Sequence, residues 1–187
     1  MGRYLAQYFI DRNAGAVAYC RQVVCFPRQE SKQRTFAVSL STGPVKEFFP
    51  YLRVKGAADA IEFYKAVFGA VELFRLTESN GRIGHVQLQL GNTVLQVSEE
   101  YPEYGLLGPQ AGQVGCAFHL HVNNVDELAS MAVSAGATML RGPSDQYYGE
   151  RACLIRDPFG HEWILGHVIE QISLDEMQSR LTAVTTY

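Results

Sequence analysis

An α+β fold built from two copies of one βαβββ module is what this sequence predicts, and three observations predict it. The order strand, helix, Gly-Ala and then a glycine-punctuated hairpin is written twice, once over 52–98 and again over 120–166. Corresponding glycines (Gly69 and Gly136, Gly81 and Gly149, Gly91 and Gly160) stand 67, 68 and 69 residues apart, so the copies keep register with little insertion. The chain has 187 residues and is 47% hydrophobic, enough for one well-buried domain or two small ones sharing an interface. No run approaches the roughly twenty apolar residues that span a bilayer, which argues against a membrane-embedded protein.

The first module occupies about 48–99. Residues 49–54 read as a strand, with Pro50 at its edge or start. In the stretch 58–68, Ile61, Tyr64 and Phe68 form one apolar stripe with Phe63 and Val67 beside it, and Gly69 stops the helix. A strand over 71–76, a turn over 78–81 and a strand over 82–90 follow. The last of these alternates His85, Gln87 and Gln89 against Val86, Leu88 and Leu90, and Gly91-Asn92 turns the chain into 93–98.

The segment 99–115, rich in Gly, Pro and Tyr, is long for a simple connection and reads as a linker or a binding loop. The second module, about 116–168, repeats the order: strand 116–122, helix 125–135, strands 138–140 and 150–156, turn 157–160 and strand 161–167. Asp157 is expected to cap that turn and Gly160 to supply its unusual backbone angle. Ser173 with Glu176 three residues on signals a short terminal helix over 172–181. Each module alone would leave a sheet face exposed, so the two are expected to pack together or with a partner chain.

Charge divides the chain. Residues 1–46 carry seven Lys/Arg against Asp11 and Glu30, whereas the remainder carries nine against seventeen acids. An acidic repeat region lacks the basic face that phosphate contacts need, which excludes nucleic acid as the expected partner. Residues 1–45 have weak periodicity, scattered arginines and several Ser and Thr, which suits a transit segment, a disordered extension or a start placed too far upstream. Within them, 16–26 has the makings of a short apolar strand or helix.

Cys20, Cys25, Cys116 and Cys153 form no CxxC pair, and the default is a reducing compartment. The cytoplasm is expected, or a mitochondrion or plastid if 1–45 is a transit peptide. Cys116 and Cys153 fall in predicted strands, where a free thiol acts as a small core residue.

With the repeat, the run Phe-Tyr-Lys-Ala-Val-Phe-Gly-Ala at 63–70 and the run Asp-Pro-Phe-Gly-His-Glu-Trp at 157–163 in hand, the chain resembles the vicinal oxygen chelate superfamily. Within it the sequence is most similar to the PhnB-like branch of glyoxalase and bleomycin-resistance proteins, over about 48–180. The resemblance implies a curved, half-open barrel of two modules, a ligand cavity on the concave face and a homodimer. Enzymes of the superfamily draw His, Gln or Glu metal ligands from the first and last strand of each module. By register those positions are Phe49, Gln96, Ala117 and Ile164 here, and only Gln96 offers a donor. A lone neutral amide oxygen is a poor ligand for a divalent ion, so no metal and no cofactor is the expectation.

A two-residue slip would instead bring in His119 or Glu162. The alternative is therefore a divalent metal such as Zn, Ni, Mn or Fe on His85, His119 and Glu162, which period-two alternation can place on one face. His119 and His121, two apart on one strand, face the same side, suited either to joint ligation or to structural hydrogen bonds. Tyr147, Tyr148 and Arg151 precede or open a strand, either as a loop closing over an aromatic or anionic ligand or as a solvent-facing hairpin edge. Trp163 points opposite to Glu162 and Ile164 and is expected in the core.

The candidate ligand-binding set is thus His85, Gln96, His119, His121, Tyr147, Tyr148, Arg151 and Glu162. Three functions stay open: a metal-free small-molecule binder of the drug-sequestering kind, a metal-dependent lyase, transferase or dioxygenase, and a non-catalytic scaffold or regulatory subunit.

Overall fold

The computed structural model describes residues 44–110 and 115–185, and nearer the N-terminus two short strands, β1 (Tyr8–Ile10) and β2 (Val17–Tyr19), paired antiparallel. β2 falls within the stretch read as a short apolar strand or helix. The other expectations for residues 1–43, including Cys20 and Cys25, lie outside the described residues.

From Tyr51 onward the chain lays down the two modules. The first comprises β3 (Tyr51–Val54), α1 (Ala57–Phe68), β4 (Val71–Thr77), β5 (Ile83–Leu90) and β6 (Thr93–Glu99). The second comprises β7 (Ala117–His121), α2 (Val125–Ser134), β8 (Thr138–Asp145), β9 (Glu150–Arg156) and β10 (Glu162–Val168). α3 (Leu174–Thr185) closes the described chain, and Ser173 Oγ accepts from Glu176 N at 3.2 Å as the capping pattern predicts. Each module forms a four-stranded sheet, in the orders β3-β6-β5-β4 and β7-β10-β9-β8, with its first and last strands parallel and its other pairs antiparallel.

The alternation along each strand decides which face meets the helices. Leu52, Val54, Val86, Leu88, Leu95 and Val97 of the first sheet are buried in the same core as Cys153, Ile155, Trp163 and Leu165 of the second. Both helices contribute to that core, through Ile61, Tyr64 and Val67 of α1 and Val125, Ala129 and Ala132 of α2, and α1 contacts α2 directly. The two modules therefore share one apolar interior with their helices inside it; the opposite face of the second sheet exposes His119 and His121, whereas that of the first buries His85, Gln96 and Ser98. Trp163 is buried as expected, its ring 4.9 Å from that of Phe68 and 5.7 Å from that of Tyr64.

Two details depart from expectation. β8 runs on to Asp145 instead of ending at 140, because register shifts between Met139 and Arg141 and between Arg141 and Ser144 carry the pairing past Gly142-Pro143. Cys116 precedes β7 and is exposed, so of the two strand thiols only Cys153 is a core residue. The connection after β6 is anchored where it is described: a 3₁₀ turn over Pro102–Tyr104 lies beside Tyr101, whose hydroxyl donates to Glu78 at 2.8 Å. Arg82 adds an ion pair with Glu103 at 2.7 Å and lies over the Tyr101 ring.

Candidate functional site

Because Phe118 and Leu120 pack toward the core, His119 and His121 project from the open face of the second sheet, as the two-residue spacing predicts. Their rings lie 4.7 Å apart. On β9 the same parity rule sends Cys153 and Ile155 inward and Glu150 onto that open face. Glu150 Oε2 stands 3.7 Å from His119 Nε2, and Oε1 stands 3.5 Å from His121 Nε2. The Glu150 side chain is 14% exposed, against 37% for His119 and 61% for His121. Its Oε2 is buried and accepts no hydrogen bond among the described residues.

A cleft of about 580 Å³ opens beside the two histidines. Its apolar walls come from Val67 and Phe68 at the end of α1, Leu90 at the β5–β6 turn, and Leu120, Leu128 and Met131. Asn92, Asn123, Asn124 and Glu127 supply polar groups on its rim. This volume falls in the range of small-molecule pockets, and mixed lining of this kind favours a ligand with an apolar body and a few polar atoms.

The other predicted site residues divide. His85 lies on the face of the first sheet turned away from the helices, where it is buried, its Nδ1 3.3 Å from the Tyr51 hydroxyl and its ring 5.7 Å from that of Phe74; burial pushes its pKa down. Gln96 is buried on the same sheet, opposite Tyr51 and Gln87 in register. Glu162 does share the open face of the second sheet, but its carboxylate accepts from Arg156 at 2.6 Å.

The set His85, His119 and Glu162 is therefore not assembled. Alternation fixes a face within one sheet, but two sheets that share their helix side do not share their opposite sides. Among the described residues, the group of three that can hold one ion is His119, His121 and Glu150.

Tyr147 and Tyr148 sit at the β8–β9 turn with rings 5.1 Å apart and perpendicular. Burial first and the Glu150 charge second raise the pKa of Tyr148. Arg151 points the other way, toward α2, donating to both carboxylate oxygens of Asp126 at 2.7 Å and to Asp145 at 2.8 Å, so it does not line the open face. Glu150 was the residue missed. It shares the parity of the open face, but its meeting with the histidines depends on β10 lying between β7 and β9 with Gly166 at the crossing, a pairing that the sequence pattern does not give.

At the four positions that the resemblance assigns to the superfamily's chelate, only Gln96 carries a donor atom. Phe49, Ala117 and Ile164 have no ligand atoms, and Ala117 pairs with Glu162 while Ile164 pairs with His119. No chemical step is assigned to a metal at those positions.

Tandem βαβββ modules with a shared helical core and a ligand-sized cleft beside an open sheet face define the class of protein. The chain belongs to the Glyoxalase/Bleomycin resistance protein/Dioxygenase superfamily, whose family model matches residues 45–165. A protein of Mycobacterium bovis described as uncharacterised is 33% identical over 138 residues, covering 72% of this chain and 91% of its own. TioX from Micromonospora sp. ML1 is 27% identical, with 64% of this chain and 96% of that one covered at a TM-score of 0.52. A PhnB protein from Bacillus cereus, described as a putative 3-demethylubiquinone-9 3-methyltransferase, is 12% identical, with 65% of this chain and 99% of that one covered at a TM-score of 0.54; this is a likeness of fold alone. No helix among the described residues is long and apolar enough to cross a membrane.

Proposed function

We propose that the protein is a PhnB-like small-molecule binder of the drug-sequestering kind, acting as a homodimer in the cytoplasm and without the superfamily's four-position chelate. The observation that supports this most is the 580 Å³ cleft, whose lining combines apolar side chains with His119, His121 and three asparagines. Apolar walls supply affinity without directionality, while the histidines and the rim asparagines orient polar atoms. The second reading, a metal-dependent lyase, transferase or dioxygenase, would have to draw on ligands other than Phe49, Gln96, Ala117 and Ile164, which together offer one amide oxygen.

The test is a thermal-shift panel of aromatic and apolar compounds on the full chain, followed by calorimetry on the hits. A ligand held at a hundred times its Kd adds about 2.7 kcal/mol, or roughly 5–10 °C in Tm for a protein of this size. Met131→Trp, which fills the cleft from a half-exposed position, is expected to abolish binding with little change in the ligand-free Tm. A panel with no shift, or a ligand that the tryptophan does not displace, overturns the assignment.

A further inference from the structure

We propose that His119, His121 and Glu150 bind one divalent transition-metal ion of the zinc type, at a site displaced from the superfamily's chelate positions. The separations argue for it. N–H···O hydrogen bonds span about 2.7–3.2 Å, whereas Glu150 Oε1 to His121 Nε2 is 3.5 Å and Oε2 to His119 Nε2 is 3.7 Å. Zinc holds nitrogen at about 2.0–2.1 Å and oxygen at about 2.0–2.2 Å, so two ligands at a tetrahedral angle stand roughly 3.4 Å apart. Both histidine–carboxylate separations are thus longer than ordinary hydrogen bonds and close to the spacing of ligands around one ion, and the ligand atoms of all three side chains lie within 4.8 Å of one another. Two imidazoles and a carboxylate match zinc and its neighbours, whereas calcium and magnesium require oxygen ligands. Three protein ligands leave coordination positions open toward the face where His119 and His121 stand exposed.

The backbone provides the space. β7 and β9 are not adjacent; β10 runs between them, which puts them roughly 9–10 Å apart. Their side chains meet only where β10 has nothing to interpose, and there it has Gly166, paired with His121 on one side and Ala152 on the other. A Cβ on Gly166 would lie 2.7 Å from His119 Nε2 and 2.9 Å from Glu150 Oε2. Gly166 is not among the positive-φ glycines, so the demand at this position is for room rather than for backbone freedom. Glu150 Oε2, buried and accepting no hydrogen bond among the described residues, points into that room.

The experiment uses full-length, tag-free protein stripped with chelator and dialysed. Zn²⁺ is titrated calorimetrically, and Co²⁺ binding is followed by its visible absorption. One equivalent should bind, with the intense cobalt bands of a four- or five-coordinate site. Glu150→Gln and His121→Ala should each weaken binding beyond the roughly 10- to 100-fold that loss of a mere outer-shell partner costs. Gly166→Ala should also abolish it, and Cys116→Ser should leave it unchanged. Unfolding curves of the metal-free variants show whether each is folded, and the cobalt spectrum reads the site itself.

Absence of a saturable equivalent in the parent protein overturns the proposal, as does binding that survives both Glu150→Gln and His121→Ala. Metal binding that persists in Met131→Trp while ligand binding is lost separates this site from the cleft reading, since either can then fail without the other.

Discussion

Asp157 shows how much a single buried carboxylate can organise. Oδ1 accepts from the backbone N–H groups of Phe159 and His161, both at 2.9 Å, which closes the turn as expected. Oδ2 accepts from Trp163 Nε1 at 2.9 Å and from the Tyr64 hydroxyl at 2.8 Å, and Tyr64 belongs to α1 of the other module. Burial first and the Asp157 charge second hold the Tyr64 pKa well above its ordinary value, which keeps it a donor. In Asp157→Asn one acceptor oxygen becomes an NH₂ group facing donors. Buried groups left unpaired cost about 1–3 kcal/mol each, so a loss of about 3 kcal/mol or more is expected in urea unfolding. A loss under about 1 kcal/mol would show that the carboxylate is replaceable.

The neighbouring His161 makes a second prediction at this scale. Burial lowers its pKa, and Asp157, 3.9 Å away, opposes this in part. His85 is shifted in the same direction by burial. With folded values below the unfolded value of about 6.5, the unfolded chain takes up protons first as pH falls. The stability these histidines contribute is therefore complete above about pH 6.5 and is lost progressively below it. Tm should be level near pH 7 to 8 and fall as pH drops from about 6.5 to 5, a range above the titration of the Arg-paired carboxylates Glu72 and Asp126. His161→Gln should flatten that slope; an unchanged slope would assign it to other groups.

At the level of elements, the repeat preserves roles while changing the chemistry that fills them. Glu99, at the end of β6, accepts from Gly56 N at 2.6 Å and Ala57 N at 2.8 Å, satisfying two donors at the start of α1. The corresponding residue at the end of β10 is His167, 68 positions on, whose Nδ1 accepts from Val125 N at 3.1 Å at the start of α2. There Asn124 supplies the other cap, accepting from Asp126 N and Glu127 N. The spacing of the repeat was legible because Gly69, Gly91, Gly136 and Gly160 must adopt positive φ, a demand the sequence cannot meet cheaply with other residues.

What was not legible lies between elements. Strand alternation identifies one face for His119, His121 and Glu162, but it does not show that the two sheets share only their helix sides, so pattern alone groups His85 with residues of a different sheet. Glu150 meets the histidines across a whole intervening strand, and Tyr64 meets Asp157 across 93 positions. In the sequence Gly142-Pro143 looks like a stop for β8, whereas bulges let the strand pass through it.

For the whole molecule, the sheet orders leave β3, β4, β7 and β8 as edge strands, each unpaired on one side among the described residues. Unprotected edges are normally short, charged or covered. β3 is short, but it is flanked by Phe48, 84% exposed, with Phe49 and Tyr51 also exposed beside it. Aromatic groups concentrated at an open strand edge are what a second chain would cover, and a second copy would also give the open face of the second sheet an opposing surface. The protein is therefore expected to run at about twice its 20.8 kDa chain mass in light scattering across a dilution series. Phe48→Asp combined with Phe49→Asp should shift it to the monomer mass while the far-ultraviolet circular dichroism is retained, because neither side chain belongs to the core. Ligand affinity then reports whether the cleft, built within one chain, needs the neighbour: unchanged affinity in the monomer assigns binding to the single chain, and lost affinity makes the second copy part of the binding surface. A parent protein that is monomeric throughout the series would leave the exposed aromatic edge to some other partner and remove the homodimer from the account.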